Sequence, residues 1–392
     1  MNALHLSLLQ QENSYIVFDV NRTVRHFNRF QENQNFMDDQ HCVIFHEGHP
    51  CELPILSALS GQLARKEITQ FVREYFACAT VSYELLDKMV SFCANSSQQQ
   101  FLGNILCTIS SCVKKCHFRK SHRHALKYVI EQLEMRHAEI DWQLYNCLTN
   151  SMMDSTIYVD RIYFDELFSK CIIVQENRHQ LSQGTTGLSC WQASCDLANY
   201  LLKQGRDYIN GNNILELGAG CGLLGIALAA SGFAKSVTLS DGNVHVLNII
   251  LKNIQSNFSE KCKICNVIFL EWETINVENI PVVPDAIFAA DVVYDTLAIK
   301  PLVCAIRKLL IAFKKENKAG PCCLLANTIR NQETMDKFIA CTAKNGLSVK
   351  NCFTYENSVF KFANGNIEDQ SLFPFTSTVQ CPTIFHELIL ND

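Results

Sequence analysis

Ile214-Leu-Glu-Leu-Gly-Ala-Gly-Cys-Gly-Leu-Leu-Gly225 decides the fold. A short apolar run, a glycine-rich turn and the start of an apolar helix follow one another without a spacer. Gly218 and Gly220 let the backbone bend tightly and come close to a ligand. The free N–H groups at the start of the following helix face the same place. Asp241 ends the next apolar run about 20 residues later, where an acidic side chain can take both hydroxyls of a ribose.

Outward from this turn, residues 156–392 alternate short apolar strands with helices, the pattern of a parallel α/β sheet. Strands are expected at 157–164, 171–175, 214–217, 236–240, 267–270, 286–290 and 322–327, with further strands near 348–355 and 383–390. Helices are expected at about 189–204, 223–231, 244–256, 297–313 and 333–345. The last two strands are joined without a crossover helix, so an antiparallel hairpin is expected at one end of the sheet. Upstream, residues 67–155 read as helices. Phe71, Val72, Tyr75 and Phe76, then Val81, Leu85, Leu86, Met89 and Val90, recur at helical spacing. A further helix is expected near 100–114, and another from Arg123 through Leu126, Val129, Ile130 and Leu133. Residues 1–66 are an N-terminal extension without an assigned role, in which Ser14–Val20 could be a strand.

Composition narrows the classes. In 392 residues, 48% are hydrophobic and 19% charged, enough for sizeable cores. The net charge of −5 gives no global basic field for a phosphate backbone. The longest apolar stretch, Leu223–Ala234, is shorter than the roughly 18 residues of a membrane span. The N-terminus has no signal-peptide pattern, so an intracellular address is expected. The 20 cysteines are then read as reduced, many of them small buried hydrophobes.

Two ligands fit the turn. Gly220-x-Gly222-x-x-Gly225 formally matches a dinucleotide fingerprint. S-adenosylmethionine fits as well, since it also carries a ribose and an adenine. Glu216, two residues before the first glycine, would repel a pyrophosphate and suit a cationic sulfonium ligand, which favours the methyl donor. Three further segments fall at the same place. Gly184-Thr-Thr-Gly-Leu-Ser-Cys-Trp191 precedes the first helix of the sheet region, Glu271-Trp272 follows the third strand and Ala289-Ala-Asp-Val-Val-Tyr294 the fourth. In a doubly wound sheet the strand C-termini converge on one crevice. Glu216, Asp241, Trp272, Asp291 and Tyr294 should therefore share a site, although Asp291 alone could instead cap the helix beginning near Thr296.

The combination Thr-Thr-Gly-Leu-x-x-Trp, Leu-Glu-Leu-Gly-x-Gly, a strand-end Trp and Asp-x-x-Tyr resembles the seven-β-strand (class I) protein-lysine methyltransferases. Asn327-Thr-Ile-Arg-Asn-Gln-Glu-Thr, Leu372-Phe-Pro-Phe and the stretch with Cys116-His-Phe-Arg-Lys support the resemblance, which covers about residues 67–392. Glu271 stands where the family usually has Asp, and Gln192 where it usually has an acidic group. The resemblance implies a Rossmann-like seven-stranded class I methyltransferase domain over 156–392 and S-adenosylmethionine as cofactor. Trp191, Glu216, Gly218, Ala219, Gly220, Asp241, Trp272 and Ala290 would hold the donor, and Asp291 and Tyr294 would receive the target lysine. It further implies a protein substrate, with elongation factor 2 expected, trimethylation, a cytoplasmic monomer, and no membrane or direct nucleic-acid partner. Two competitors remain: an NAD-dependent oxidoreductase, and a non-catalytic module that keeps the donor fold.

Weaker signals carry less. Cys112, Cys116, His117, His122 and His124 match no standard zinc spacing and are placed at a surface helix start. His46-Glu-Gly-His49 puts its second His one position too early for a metalloprotease. Cys262-Lys-Ile-Cys265 lies in a loop, where a redox motif is not expected. No metal is therefore expected. The basic run Lys114–His124 reads as a solvated face, with docking to an acidic surface as the alternative.

Overall fold

The computed structural model describes residues 17–18, 66–112, 120–153, 157–165, 168, 171–259, 263–314, 320–368, 371–375 and 381–391. Among the described residues the first element is a two-residue strand, β1 (Val17–Phe18), inside the stretch expected as one. The next described elements are the helices α1 (Lys66–Phe76), α2 (Tyr83–Phe92), α3 (Ser96–Cys112), α4 (Lys120–Met135) and α5 (Trp142–Met153). Ile68, Phe71, Val72, Tyr75 and Phe76 give α1 one apolar stripe, and Ser82 caps α2 by accepting from the Leu85 N–H. Their inward faces form one core with Leu126, Val129, Ile130 and Leu133 of α4. The surface placement of the α4 histidines needs correcting at His122, which is buried with its ring centroid 4.3 Å from that of Tyr75. Cys116, His117 and the 41–51 histidines and cysteines lie outside the described residues. Among the described residues, no group of three or more His, Cys, Asp or Glu could hold a metal ion.

A separate hairpin, β2 (Tyr158–Phe164) and β3 (Cys171–Asn177), joins this region to the rest. Strand alternation divides its two faces. Ile162 and Phe164 enter the helical core, while Tyr163, Ile172 and Val174 enter the core of the sheet region. Buried Arg161 and Glu176 lock the hairpin through an ion pair of 2.8 Å. Arg161 also donates to the Ala77 carbonyl, and Glu176 accepts from the Cys190 N–H, next to Trp191.

The sheet region continues with α6 (Gln192–Lys203), β4 (Asn213–Leu217), α7 (Leu223–Ala230), β5 (Ser236–Asp241), α8 (Val244–Asn257), β6 (Cys265–Phe269), β7 (Ala286–Ala290), α9 (Thr296–Ala312), β8 (Cys322–Thr328), α10 (Gln332–Lys344), β9 (Leu347–Glu356), β10 (Val359–Phe362), β11 (Gly365–Glu368) and β12 (Thr383–Leu390). Seven strands lie in the order β6-β5-β4-β7-β8-β12-β9. The first five are parallel, and β12 runs antiparallel between β8 and β9. This is the expected seven-stranded Rossmann-like sheet, with two differences. β1 extends one edge beside β6, and β10 and β11 extend the other. The β9–β12 pair is therefore antiparallel as expected but is not the sheet end. The β9–β10 turn places Asn357 and Ser358 at φ +50° and +62°, the conformation a tight hairpin needs. Among the described residues, no helix is long and apolar enough to cross a membrane.

Order reverses between β4 and β7, so the chain leaves these neighbouring strands toward opposite sides and opens a crevice at their C-terminal ends. β4 carries Leu215 and Leu217 into the core under α9, while Ile214 enters the core shared with α7.

Candidate active site

The crevice is a cleft of about 270 Å³. It is lined by Trp191, Gly218, Ala219, Gly220, Asp241, Trp272, Ala290, Asp291 and Tyr294, so nine of the ten residues expected at one site do meet there. Thr185, Thr186, Gly187, Ser189 and Ser194 complete the wall beside Trp191. The first four belong to the Gly184–Trp191 motif, and Ser194 follows it on α6.

The turn after β4 builds the floor. Gly218 and Gly220 take φ +64° and +55°, in the left-handed region that side chains disfavour. A Cβ on Gly218 would lie 2.9 Å from Val292 Cγ1 and 3.3 Å from Trp272 Cζ2; one on Gly220 would lie 3.3 Å from the Gly187 carbonyl oxygen. The backbone is thus left bare where the cleft is deepest in glycine. Asp241 closes β5 with its carboxylate oriented by backbone donors, among them Gly220 N–H at 3.3 Å and Asn243 N–H at 3.0 Å. Burial pushes its pKa up to about 6, against the pull of those donors.

Glu216 is the exception, and its assignment as a donor contact is corrected. Its side chain is buried behind the turn and accepts from the Gly225 N–H at 2.9 Å. It shares the α7 face of β4 with Ile214 and is not among the residues that line the cleft. Burial raises its pKa to about 8. Gly225 is consequently a packing residue: a Cβ there would meet Glu216 Oε2 at 2.6 Å and Leu239 at 2.7 Å.

A testable pH dependence follows from Glu216. Between the ordinary carboxyl value of 4.5 and about 8, the folded chain holds a proton that the unfolded chain has shed. Stability therefore falls as pH rises through that window. Glu216→Gln keeps an acceptor for Gly225 but does not titrate. By calorimetry, it should gain about 1–3 kcal/mol on wild type between pH 6 and pH 8. An unchanged difference at the two pH values would mean that Glu216 is ionised in the fold.

Asp291 follows β7 at φ +53°, a strained position for a side chain other than glycine. Its carboxylate holds the strain by four bonds. Oδ1 accepts from Thr328 N–H at 2.9 Å, and Oδ2 from Thr328 Oγ1 at 3.1 Å, Ala193 N–H at 3.2 Å and Arg330 Nη2 at 3.1 Å. It thereby ties β7 to β8 and caps the first turn of α6, where Trp191 offers no side-chain cap. The alternative that Asp291 caps α9 fails, because Asp295 does so by accepting from Leu297 N–H. Tyr294 stands exposed on the rim.

Arg330 was not among the expected site residues. Its guanidinium lies 4.8 Å from the centre of the Trp191 ring while bonding Asp291. Trp191 is fixed in turn by its Nε1–H, which donates to the Thr186 carbonyl at 3.1 Å. Asp196, one turn further into α6, is buried and bonded by Thr383 and Gln192, with its pKa raised to about 7 by burial.

Residues 172–344 match the lysine methyltransferase family. The chain is 28% identical over 284 residues to human protein-lysine N-methyltransferase EEF2KMT, covering 69% of this chain and 85% of that protein. It is 27% identical over 272 residues to the bovine protein of the same name, covering 64% of this chain and 79% of that one. Against the calmodulin-lysine N-methyltransferase of Arabidopsis thaliana it is 27% identical over 206 residues, covering 51% and 65%.

Proposed function

The chain carries a protein-lysine methyltransferase domain at residues 172–344, whose cofactor is S-adenosylmethionine, and we propose that its substrate is elongation factor 2. The observation that carries the substrate reading is the reach of the similarity. The match to human EEF2KMT runs over 284 residues, well beyond the 172–344 domain, whereas the match to the calmodulin-lysine enzyme runs over 206. A cytoplasmic location and a monomeric state are part of the same proposal. Trimethylation is the expected product, by the same likeness.

The residues present fit the donor. The bare turn at Gly218 and Gly220 gives close approach for a methionine portion, and Asp241 presents a carboxylate to the ribose hydroxyls. Trp272 and Ala290 flank the place for the adenosine. Glu216 does not line the cleft and does not discriminate against a dinucleotide; the match to the lysine methyltransferase family favours the methyl donor.

The bound donor supplies a methyl carbon on a sulfonium, open to direct displacement by a neutral amine. The chain must bring that amine in line and keep water from disordering it. We assign Tyr294 to wall the lysine stem and Asp291 to fix the acceptor end, with the amine proton passing to water. A carboxylate by itself would raise the lysine pKa, so Asp291 is not assigned as the base.

The test is transfer of radiolabelled methyl from S-adenosylmethionine by the purified chain into a cytosolic extract of its own cell type. A labelled band at the size of elongation factor 2 supports the substrate; label on another protein keeps the chemistry and discards the substrate. Asp241→Asn should lose donor affinity about tenfold or more at pH 7.5 by calorimetry, since a ribose-binding carboxylate is replaced by a neutral amide. Wild-type affinity in that variant would remove Asp241 from the donor site.

A further inference from the structure

We infer that Arg330 is a positioning residue that keeps the target amine in its neutral, nucleophilic form, by cancelling the charge of Asp291 at the acceptor end of the cleft. This rests on the lysine methyltransferase reading of the site.

The difficulty it resolves is electrostatic. The described residues lining the cleft include Asp241, Glu271, Glu273 and Asp291 but no Lys, Arg or His. A lysine entering that field is held as an ammonium, because nearby negative charge raises its pKa. An ammonium has no lone pair for the methyl carbon. Arg330 changes the balance at the one place where the amine must react. Nη2 lies 3.1 Å from Asp291 Oδ2 in an ion pair whose carboxylate side is 4% exposed and whose arginine side is 41% exposed. The cation is the more exposed partner and the anion is covered; Arg330 does not line the cleft itself but backs Asp291, which does. Its other contact, 4.8 Å over Trp191, fixes the guanidinium against a residue that lines the cleft.

Arginine suits the task. Its guanidinium stays charged at every working pH, so it cannot act as the base and cannot lose the charge that biases the amine. It also spans Trp191, on the start of α6, and Asp291, after β7, so it sets the charge and the shape of the acceptor end together. Methyl transfer then forms the N–C bond as the C–S bond breaks; the sulfur takes the electron pair, and water takes the proton the amine gives up.

The groups facing this position are Asp291 and Tyr294 after β7, Asp196 on α6, Glu271 and Glu273 after β6, and Asp241 after β5. All are present in wild type and in an Arg330 variant. The ratio of their rates at each pH thus isolates the effect of the arginine from the other titrations.

The experiment measures label transfer from S-adenosylmethionine into the protein of a cytosolic extract, at saturating donor, from pH 6.5 to 9.5, for wild type, Arg330→Gln and Arg330→Lys. Binding of S-adenosylhomocysteine by calorimetry accompanies it. Arg330→Gln should be about tenfold slower at pH 7, with the loss shrinking to about twofold at pH 9.5, a displacement of the rising limb by about one pH unit. Arg330→Lys, which keeps the charge, should restore the limb to near its wild-type position. S-adenosylhomocysteine affinity should stay within about twofold in both. A loss equal at all pH values, or a Lys variant as impaired as the Gln variant, overturns the inference and leaves Arg330 a structural brace. A wild type that transfers no label to any protein overturns the parent reading and this inference with it, so the two failures are told apart.

Discussion

Asp291→Ala should lower methyl transfer by at least about a hundredfold while the chain still binds S-adenosylhomocysteine within about threefold of wild type. The asymmetry follows from where its bonds go. None of the four partners of the carboxylate belongs to the glycine turn or to Asp241; they are Thr328 twice, Ala193 and Arg330. The acceptor end is lost and the donor end is left standing. Stability must suffer as well. Truncation leaves the Ala193 and Thr328 N–H groups without an acceptor, at about 1–3 kcal/mol each. Against a usual total of about 5–15 kcal/mol, the variant still folds, with a lower thermal midpoint. Asp291→Asn separates fold from charge. Asparagine tolerates the φ of +53° and keeps an oxygen for the Thr328 N–H, so part of the stability returns, while Ala193 N–H stays without an acceptor. It removes the carboxylate assigned to fix the acceptor end, so transfer should stay low even though Arg330 keeps its charge. Wild-type turnover in the Ala variant would remove Asp291 from the acceptor end, and loss of S-adenosylhomocysteine binding in both variants would move it to the donor.

What could be read from the sequence was whatever local patterning dictates. β4, β5, β7 and β8 are short apolar runs bounded by turns, because strands covered on both faces need no polar alternation. Their expected bounds fall within a residue or two of those observed. Convergence of Asp241, Trp272, Asp291 and Tyr294 was also legible, since strand C-termini in such a sheet share one edge. Glu216 was legible in principle and misread. Leu215 and Leu217 face the core under α9, so position 216 must face α7 with Ile214. Parity places it on that face, and the glycine turn that follows covers it there, so it is buried and does not line the cleft. Arg330 is different. Its stretch was singled out, but its role depends on β8 lying beside β7 in register, with Ala290 opposite Ala326, and on Trp191 arriving from the start of α6. No spacing in the sequence expresses that meeting. The β10–β11 hairpin left only half a signal: Asn364-Gly365 follows the apolar Val359–Phe362, but the strand after it, Gly365–Glu368, is polar and exposed.

Gly218→Ala should abolish useful donor binding, weakening it by about thirtyfold or more, and with it transfer. Two costs add. An L residue at φ +64° costs about 1–2 kcal/mol. The new methyl would also stand 2.9 Å from Val292 Cγ1 and 3.3 Å from Trp272 Cζ2, and forcing a methyl into filled space costs about 1–3 kcal/mol. What decides where the cost appears is which neighbour can yield. Val292 is 4% exposed and held between β7 and the core under α9, so it cannot retreat. Trp272 is only partly buried and lines the cleft, so it is the one to move, into the space the donor needs. The penalty therefore falls on binding more than on folding. Gly225→Ala makes the opposite case with the same chemical change. It lies within α7, away from the cleft, and its methyl would meet Glu216 and Leu239 at 2.6–2.7 Å in the core. That variant should lose thermal stability while the fraction that folds binds S-adenosylhomocysteine normally. Calorimetric titration and thermal unfolding of the two proteins decide the matter. If Gly218→Ala binds as wild type does while Gly225→Ala fails to bind, the deep wall of the donor site lies against α7 and not at the Gly218 turn.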